Sequence, residues 1–116
     1  MYFRREKGSK YKNTKVEIDG IKFDSKSEAK RYQVLKILVD QGEITNLQLQ
    51  PRFLLQESFK KNGKTFRKIE YIADFMYEEN GEKVVEDVKG MQTDVFKLKM
   101  KMFEYKYPEL TLKITR

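Results

Sequence analysis

Two hydrophobic periods alternate along this chain, one of strands and one of helices. The runs Ile69–Tyr77 and Lys83–Lys89 are rich in β-branched and aromatic residues and flank Asn80-Gly81. Asn-Gly between two such runs predicts a β-hairpin with a two-residue type I′ turn. Glu79 then lies opposite Glu82, Asp74 opposite Asp87, and Ile72 opposite Lys89. Side chains alternate with period two, so Asp74, Asp87 and Lys89 share one sheet face with Met76, Val85 and Ile72. A second Asn-Gly, at Asn62-Gly63, joins Arg52–Lys61 to Lys64–Asp74 and pairs Phe59 with Phe66. The result is a three-stranded antiparallel meander whose middle strand carries Asp74. Asp19-Gly20 marks a shorter hairpin over Lys15–Phe23, with Val16, Ile18, Ile21 and Phe23 as its apolar positions.

The period changes after Phe23. Ser25-Lys-Ser-Glu28 is a capping box that opens a helix, and Gly42 closes it. Glu28, Tyr32, Leu35 and Val39 fall on one stripe, so Glu28 leads the face the helix buries. Glu43–Pro51 reads as an extended connection with a short strand. A second helix is capped by Thr93 and stopped by Pro108. Phe96, Met100, Phe103 and Tyr107 form one stripe on it, Leu98, Met102 and Tyr105 nearly form another, and both read as core. Lys99 falls between the stripes, where it is a candidate phosphate contact, while Lys97 and Lys101 share an outer side. Glu109–Thr115 alternates Leu110, Leu112 and Ile114 as a closing strand, which a right-handed crossover would add parallel to the sheet. The fold class is α/β with an α+β mixed sheet, in the order α, three β, α, β. Residues 15–116 form one domain, preceded by a basic arm over residues 1–14.

Composition narrows the chemistry. The 116 residues suit a single domain with a modest core. Charged residues make up 37% and the net charge is +7, which favours a polyanionic partner. Most of that excess lies in the first fifteen residues, where Arg4, Arg5, Lys7, Lys10, Lys12 and Lys15 face only Glu6. Tyr2, Phe3 and Tyr11 are interleaved with these cations, a mixture that suits nucleic acid as well as it suits a solvated tail. No cysteine and no histidine is present. Disulfides, zinc–thiolate sites, cysteine nucleophiles, serine–histidine triads and histidine–metal centres are therefore excluded. Catalysis must rest on carboxylates, lysine, hydroxyls and a hard, oxygen-loving metal. No apolar run reaches membrane-spanning length, and an intracellular protein is expected.

The acidic residues at 74 and 87 need a reason. Directly opposed like charges destabilise a bare sheet, and carboxylates on an apolar face are costly to bury without a cation between them. Lys89 is one candidate and a divalent metal ion the other. The simpler alternative is an edge hairpin whose acids are solvated. Glu28 is likewise open to two readings: it caps its helix through the Ser25 amide, or it reaches from the inner face toward the acid pair. Glu70 stands on the Asp74 side of its strand as a reserve carboxylate. Glu86 allows an alternative register but would face away from Lys89.

These residues carry a resemblance. Ala73-Asp74 stands where the PD-(D/E)xK nucleases have Pro-Asp, Asp87-Val88-Lys89 fits (D/E)xK, and Glu28 in Ser-Lys-Ser-Glu-Ala matches the first-helix glutamate of many members. More closely, Leu49-Gln-Pro-Arg-Phe53, Tyr71-Ile-Ala-Asp-Phe75 and Val85-Glu-Asp-Val-Lys-Gly-Met-Gln-Thr93 are similar to small phage-encoded proteins grouped with recombination endonucleases and Holliday-junction-resolvase-like enzymes. The transposon end-cleaving endonucleases share a similar layout. Ala73 in place of proline is the departure.

The resemblance implies a restriction-endonuclease-like core and a Mg²⁺- or Mn²⁺-dependent endodeoxyribonuclease acting on branched or other recombination and replication intermediates of a phage, in the cytoplasm of a bacterial host. It implies 5′-phosphate and 3′-hydroxyl products. Asp74, Asp87 and the Val88 carbonyl would hold the metal, with Glu28 at a second ion or a metal water, and Lys89 at the attacking water or the phosphate. Arg4, Arg5, Lys10, Lys12 and Lys99 would contact DNA. A homodimer would suit paired cuts on both strands. The competing class is a DNA-binding module of the same fold that does not cleave.

Overall fold

The computed structural model describes residues 15–116, which form two helices and ten strands of mixed α+β architecture. The hairpin of β1 (Val16–Ile18) and β2 (Ile21–Phe23) turns at Asp19-Gly20, both with positive φ, as the sequence predicts. Helix α1 (Lys26–Asp40) follows, its N-cap Ser25 accepting the Glu28 amide at 3.1 Å. Gly42, at φ 77°, ends it by donating to the Val39 carbonyl, and Glu43 donates to that of Leu38.

The next six strands make one long antiparallel ribbon. The outgoing arm is β3 (Thr45–Leu49), β4 (Arg52–Gln56) and β5 (Phe59–Lys61); the returning arm is β6 (Lys64–Phe66), β7 (Ile69–Ile72) and β8 (Phe75–Glu79). At the tip Phe59 pairs with Phe66, as predicted. Lower down, an irregularity between Leu54 and Gln56 shifts the register, and Arg52 comes opposite Ile72. Each expected continuous strand is thus broken into segments. The second break has a chemical cause. Pro51 has no N–H to give to a ladder, and Gln50 adopts φ 51°. Across that break the Gln50 amide donates to the Asp74 carbonyl (2.9 Å) and the Ala73 amide to the Pro51 carbonyl (3.1 Å).

Strand β9 (Glu82–Val88) pairs with β8 around Asn80-Gly81, whose φ values of 52° and 81° match a type I′ turn. The register runs from Glu79 opposite Glu82 to Phe75 opposite Glu86. Helix α2 (Asp94–Lys106), capped by Thr93, leads to β10 (Thr111–Thr115), which lies parallel to β9. The main sheet has the order β10-β9-β8-β3, so β8 is interior. Ile72 departs from expectation: it pairs with Arg52, not Lys89, and is exposed.

Each side of the sheet packs a helix. On the α1 side Phe23, Tyr32, Leu35, Ile44, Phe75, Tyr77 and Val84 are buried together. On the α2 side Phe53, Tyr71, Ala73, Val85, Phe96 and Phe103 form the second core. Phe103 is fully buried and meets Phe53 and Tyr71 edge-on at 5.0 and 5.3 Å. The other stripe expected on α2 is not core: Leu98 is 60% and Tyr105 90% exposed, with Met102 only partly covered. One apolar stripe is all that a helix on a sheet face can bury.

Candidate active site

Asp74 sits at the kink between β7 and β8, one step beyond the last β8–β9 ladder pair. Its Oδ2 accepts the Val88 amide at 2.8 Å, which ties it to the end of β9. Asp87, on β9, is 1% exposed and close enough to Asp74 to raise its pKa. Its Oδ2 accepts the Tyr71 hydroxyl at 2.6 Å, and Lys89 Nζ stands 3.9 Å from Oδ1. The same ammonium lies 5.0 Å from the centre of the Phe96 ring. Lys89 thus keeps a loose hold on the acid and remains about one-third exposed.

Electrostatics follow from this crowding. Burial, the neighbouring Asp87 carboxylate and the Glu28 charge push Asp74 up to about 8, against the pull of the Val88 amide. At neutral pH Asp74 therefore holds a proton. Tyr71 is driven well above the usual phenol range, first by burial and then by its bond to Asp87, so it stays a neutral donor.

Glu28 arrives from α1. It is buried, and its carboxyl is raised by burial, then by Asp24 and by Asp87, with the Asp24 amide and Lys89 opposing. The capping box is therefore half made: Ser25 caps the helix, but the backbone amide assisting Glu28 is that of Asp24, not of Ser25. Glu28 and Asp74 line one cavity of ≈ 190 Å³ with Ile21, Phe23, Leu49 and Gln50. A larger cavity of ≈ 280 Å³, beside Asn46, Gln48 and Lys83, includes none of these acids.

Asp74, Asp87, Lys89 and the Val88 backbone thus come together, with Glu28 on the wall of the cavity that Asp74 lines. Glu70 does not join them, being engaged by Arg52 (3.3 Å) and Lys68 (3.4 Å). Lys99 is half-buried on α2 and makes no ion pair among the described residues. Arg4, Arg5, Lys10 and Lys12 lie outside the described residues.

A second charged cluster escaped the sequence reading. Glu86 is fully buried on the opposite sheet face from Asp87, and Arg31 grips both its oxygens (2.5 and 3.0 Å). Tyr77 and Thr115 hydroxyls add bonds of 2.6 and 3.0 Å. Burial alone would raise this carboxyl, but the hydrogen bonds from Arg31 and the hydroxyls outweigh it and hold it below the usual range. The signal was available: Arg31 lies on α1 between Glu28 and Leu35, one turn from each, and Glu86 shares its face with Phe75 and Val84.

A family model described as a protein of unknown function, DUF1064, matches residues 8–116. The chain belongs to the DUF1064 family. Comparison with curated proteins and with solved structures gives no match. Among the described residues of this DUF1064 protein, no helix is long and apolar enough to cross a membrane. Nor do three or more carboxylates there stand close enough together to hold a metal ion. What the DUF1064 site offers is a buried acid pair, a half-buried ammonium beside it and a third carboxylate on the wall of a shared cavity, all hard oxygen or nitrogen groups.

Proposed function

We propose that this DUF1064 protein is a metal-dependent DNA endonuclease that hydrolyses phosphodiester bonds in branched or other recombination and replication intermediates. The observation that carries the proposal is the meeting of Asp74 and Asp87 at a position where neither solvent nor a close cation neutralises both. Magnesium fits this donor set. It is commonly held by one or two carboxylates with waters and substrate phosphates completing the shell, so a closed protein cage is not required. The proton that Asp74 keeps at neutral pH occupies the role a divalent cation would take.

In this mechanism Asp74 and Asp87 would supply carboxylate oxygens to the ion, the Val88 carbonyl a further oxygen, and Glu28 would serve a second ion or a water. A bound divalent ion supplies Lewis-acid polarisation of the phosphoryl group and a water acidic enough to attack at neutral pH. Tyr71 fixes the Asp87 carboxylate, so the ligand is oriented before substrate arrives. Lys89, held loosely and partly exposed, orients the attacking water or stabilises charge on the pentacovalent phosphate. The net charge of +7 provides attraction for the DNA backbone.

The test is incubation of the full chain with Mg²⁺ or Mn²⁺ and linear, nicked and branched DNA. Wild type should cut at least one, and Asp74→Ala, Asp87→Ala and Lys89→Ala should not, with far-UV circular dichroism unchanged. Cleavage surviving in Asp74→Ala overturns the site. Salt-sensitive binding that is equal in wild type and Asp74→Ala, with no cleavage by either, would instead indicate a DNA-binding module.

A further inference from the structure

The tip of the long ribbon has a charge pattern of its own. From Glu57 to Lys68 the chain carries Lys60, Lys61, Lys64, Arg67 and Lys68 against Glu57 alone. Strands β5 and β6 are exposed throughout. Asn62 and Gly63 close them at φ 53° and 73°, and the register puts Lys61 directly opposite Lys64. Phe59 and Phe66 stack at 4.8 Å and 11° yet remain 44% and 39% exposed, with Lys64 Nζ 5.4 Å from the Phe66 ring. The aromatic pair stiffens a ribbon that has little else to pack on.

Opposed lysines destabilise a hairpin. Among the described residues no carboxylate forms an ion pair with Lys60, Lys61, Lys64 or Arg67. The Asn80-Gly81 hairpin also opposes like charges beside its turn, Glu79 against Glu82, but there the next pair, Glu78 opposite Lys83, brings charges of opposite sign together. The β5–β6 tip is therefore a concentration of positive charge that the described residues leave uncompensated and that an external polyanion would neutralise.

We infer that the β5–β6 hairpin grips duplex DNA by entering the major groove, with Lys60, Lys61, Lys64 and Arg67 on its phosphates. Two strands about 4.8 Å apart, widened by their side chains, match a groove about 12 Å wide and exceed the minor groove of about 6 Å. Period-two alternation sends Lys61 and Lys64 to one face of the ribbon and Lys60 to the other, so both groove walls are within reach. The deep, narrow major groove of A-form RNA excludes such a ribbon, which makes B-form DNA the partner. Phosphate contacts of this kind position the duplex without reading sequence. Lys64 and Asp74 lie ten residues apart on one arm, a span of at most about 33 Å, or about one duplex turn. The grip stands on the hairpin itself; its use in presenting DNA to Asp74 rests on the nuclease reading.

The test measures binding of the full chain, in EDTA, to a DNA duplex about three turns long over a range of NaCl concentrations. Lys61→Ala/Lys64→Ala should lose roughly tenfold in affinity near 0.15 M salt, and its slope of log affinity against log salt should flatten by about 0.9 per lost contact. Lys60→Ala/Arg67→Ala, from the rest of the tip, should behave alike, and Lys83→Ala should match wild type. An RNA duplex of the same sequence should bind wild type no better than it binds the double variants. Wild-type slope and affinity in both double variants, equal loss for RNA, or no salt-dependent binding by wild type overturns the grip. Asp74→Asn should keep the wild-type slope, so loss of cleavage and loss of grip are separable.

Discussion

The Asp74 carboxylate accepts the Val88 amide proton at 2.8 Å, so an acid outside the β8 ladder is fastened to the last residue of β9. One oxygen is thereby committed to the backbone, while the carboxyl as a whole remains against Asp87. The fold holds the two acids together at a stability cost, and a proton on Asp74 or a cation reduces it.

That cost is measurable. The folded-state pKa of Asp74, about 8, exceeds the ordinary value of 3.8, so between these limits the native state binds the extra proton. Stability should fall as pH rises through this window and return on acidification toward pH 4. Asp74→Asn should stabilise the protein at pH 8 by about 1–2 kcal/mol, after discounting for partial solvent access, and by nothing near pH 4. Urea unfolding at both pH values checks this, and a variant less stable at pH 8 would show that the pair is not strained.

Tyr71→Phe keeps the ring packed against Phe96 and Phe103 but removes the 2.6 Å bond to Asp87. Loss of a bond to a charged acceptor costs about 1.5–3 kcal/mol. An orienting partner of a metal ligand is worth about 10-fold or more in metal affinity. A Mn²⁺ titration of this variant should show that weakening; unchanged affinity would leave Tyr71 as packing only.

Arg31→Ala leaves Glu86 buried without its cation, which should destabilise by about 3–5 kcal/mol in urea unfolding at pH 7. Arg31→Lys should recover only part, since a lysine cannot grip both oxygens. Because the Glu86 carboxyl is held below its ordinary 4.5, its contribution is present above that pH and is lost as pH falls through the folded value. A small loss in Arg31→Ala would mean that the two hydroxyls suffice.

The parts of this molecule legible in its sequence are those that short-range chemistry dictates. Asn80-Gly81 and Asn62-Gly63 each set a register, because a type I′ turn needs two positive φ angles and leaves no choice of pairing beside it. Those registers place Asp74 near Asp87, and the capping serine and helix stripe bring Glu28 to the wall of the cavity that Asp74 lines. Legibility fades with distance from a turn. The kink opposite Pro51 ends the β8–β9 ladder at Phe75 and Glu86 and leaves Ile72 away from Lys89, and the register shift near Leu54 has no local signal at all. Arg31 and Glu86 are 55 positions apart, and their bond exists only after α1 lies on the sheet. Leu98 and Tyr105 had the spacing of a buried stripe, but spacing cannot say which face a sheet will cover.

The acid pair as a divalent-cation site is tested most directly by calorimetric titration of Mn²⁺ at pH 7 in two buffers of different ionisation enthalpy. Wild type should bind with release of about one proton, the one Asp74 holds below its pKa, and this number should fall toward zero above pH 9. Asp74→Asn and Asp87→Asn should lose the binding. Binding with no proton release, or equal affinity in Asp74→Asn, would contradict the site.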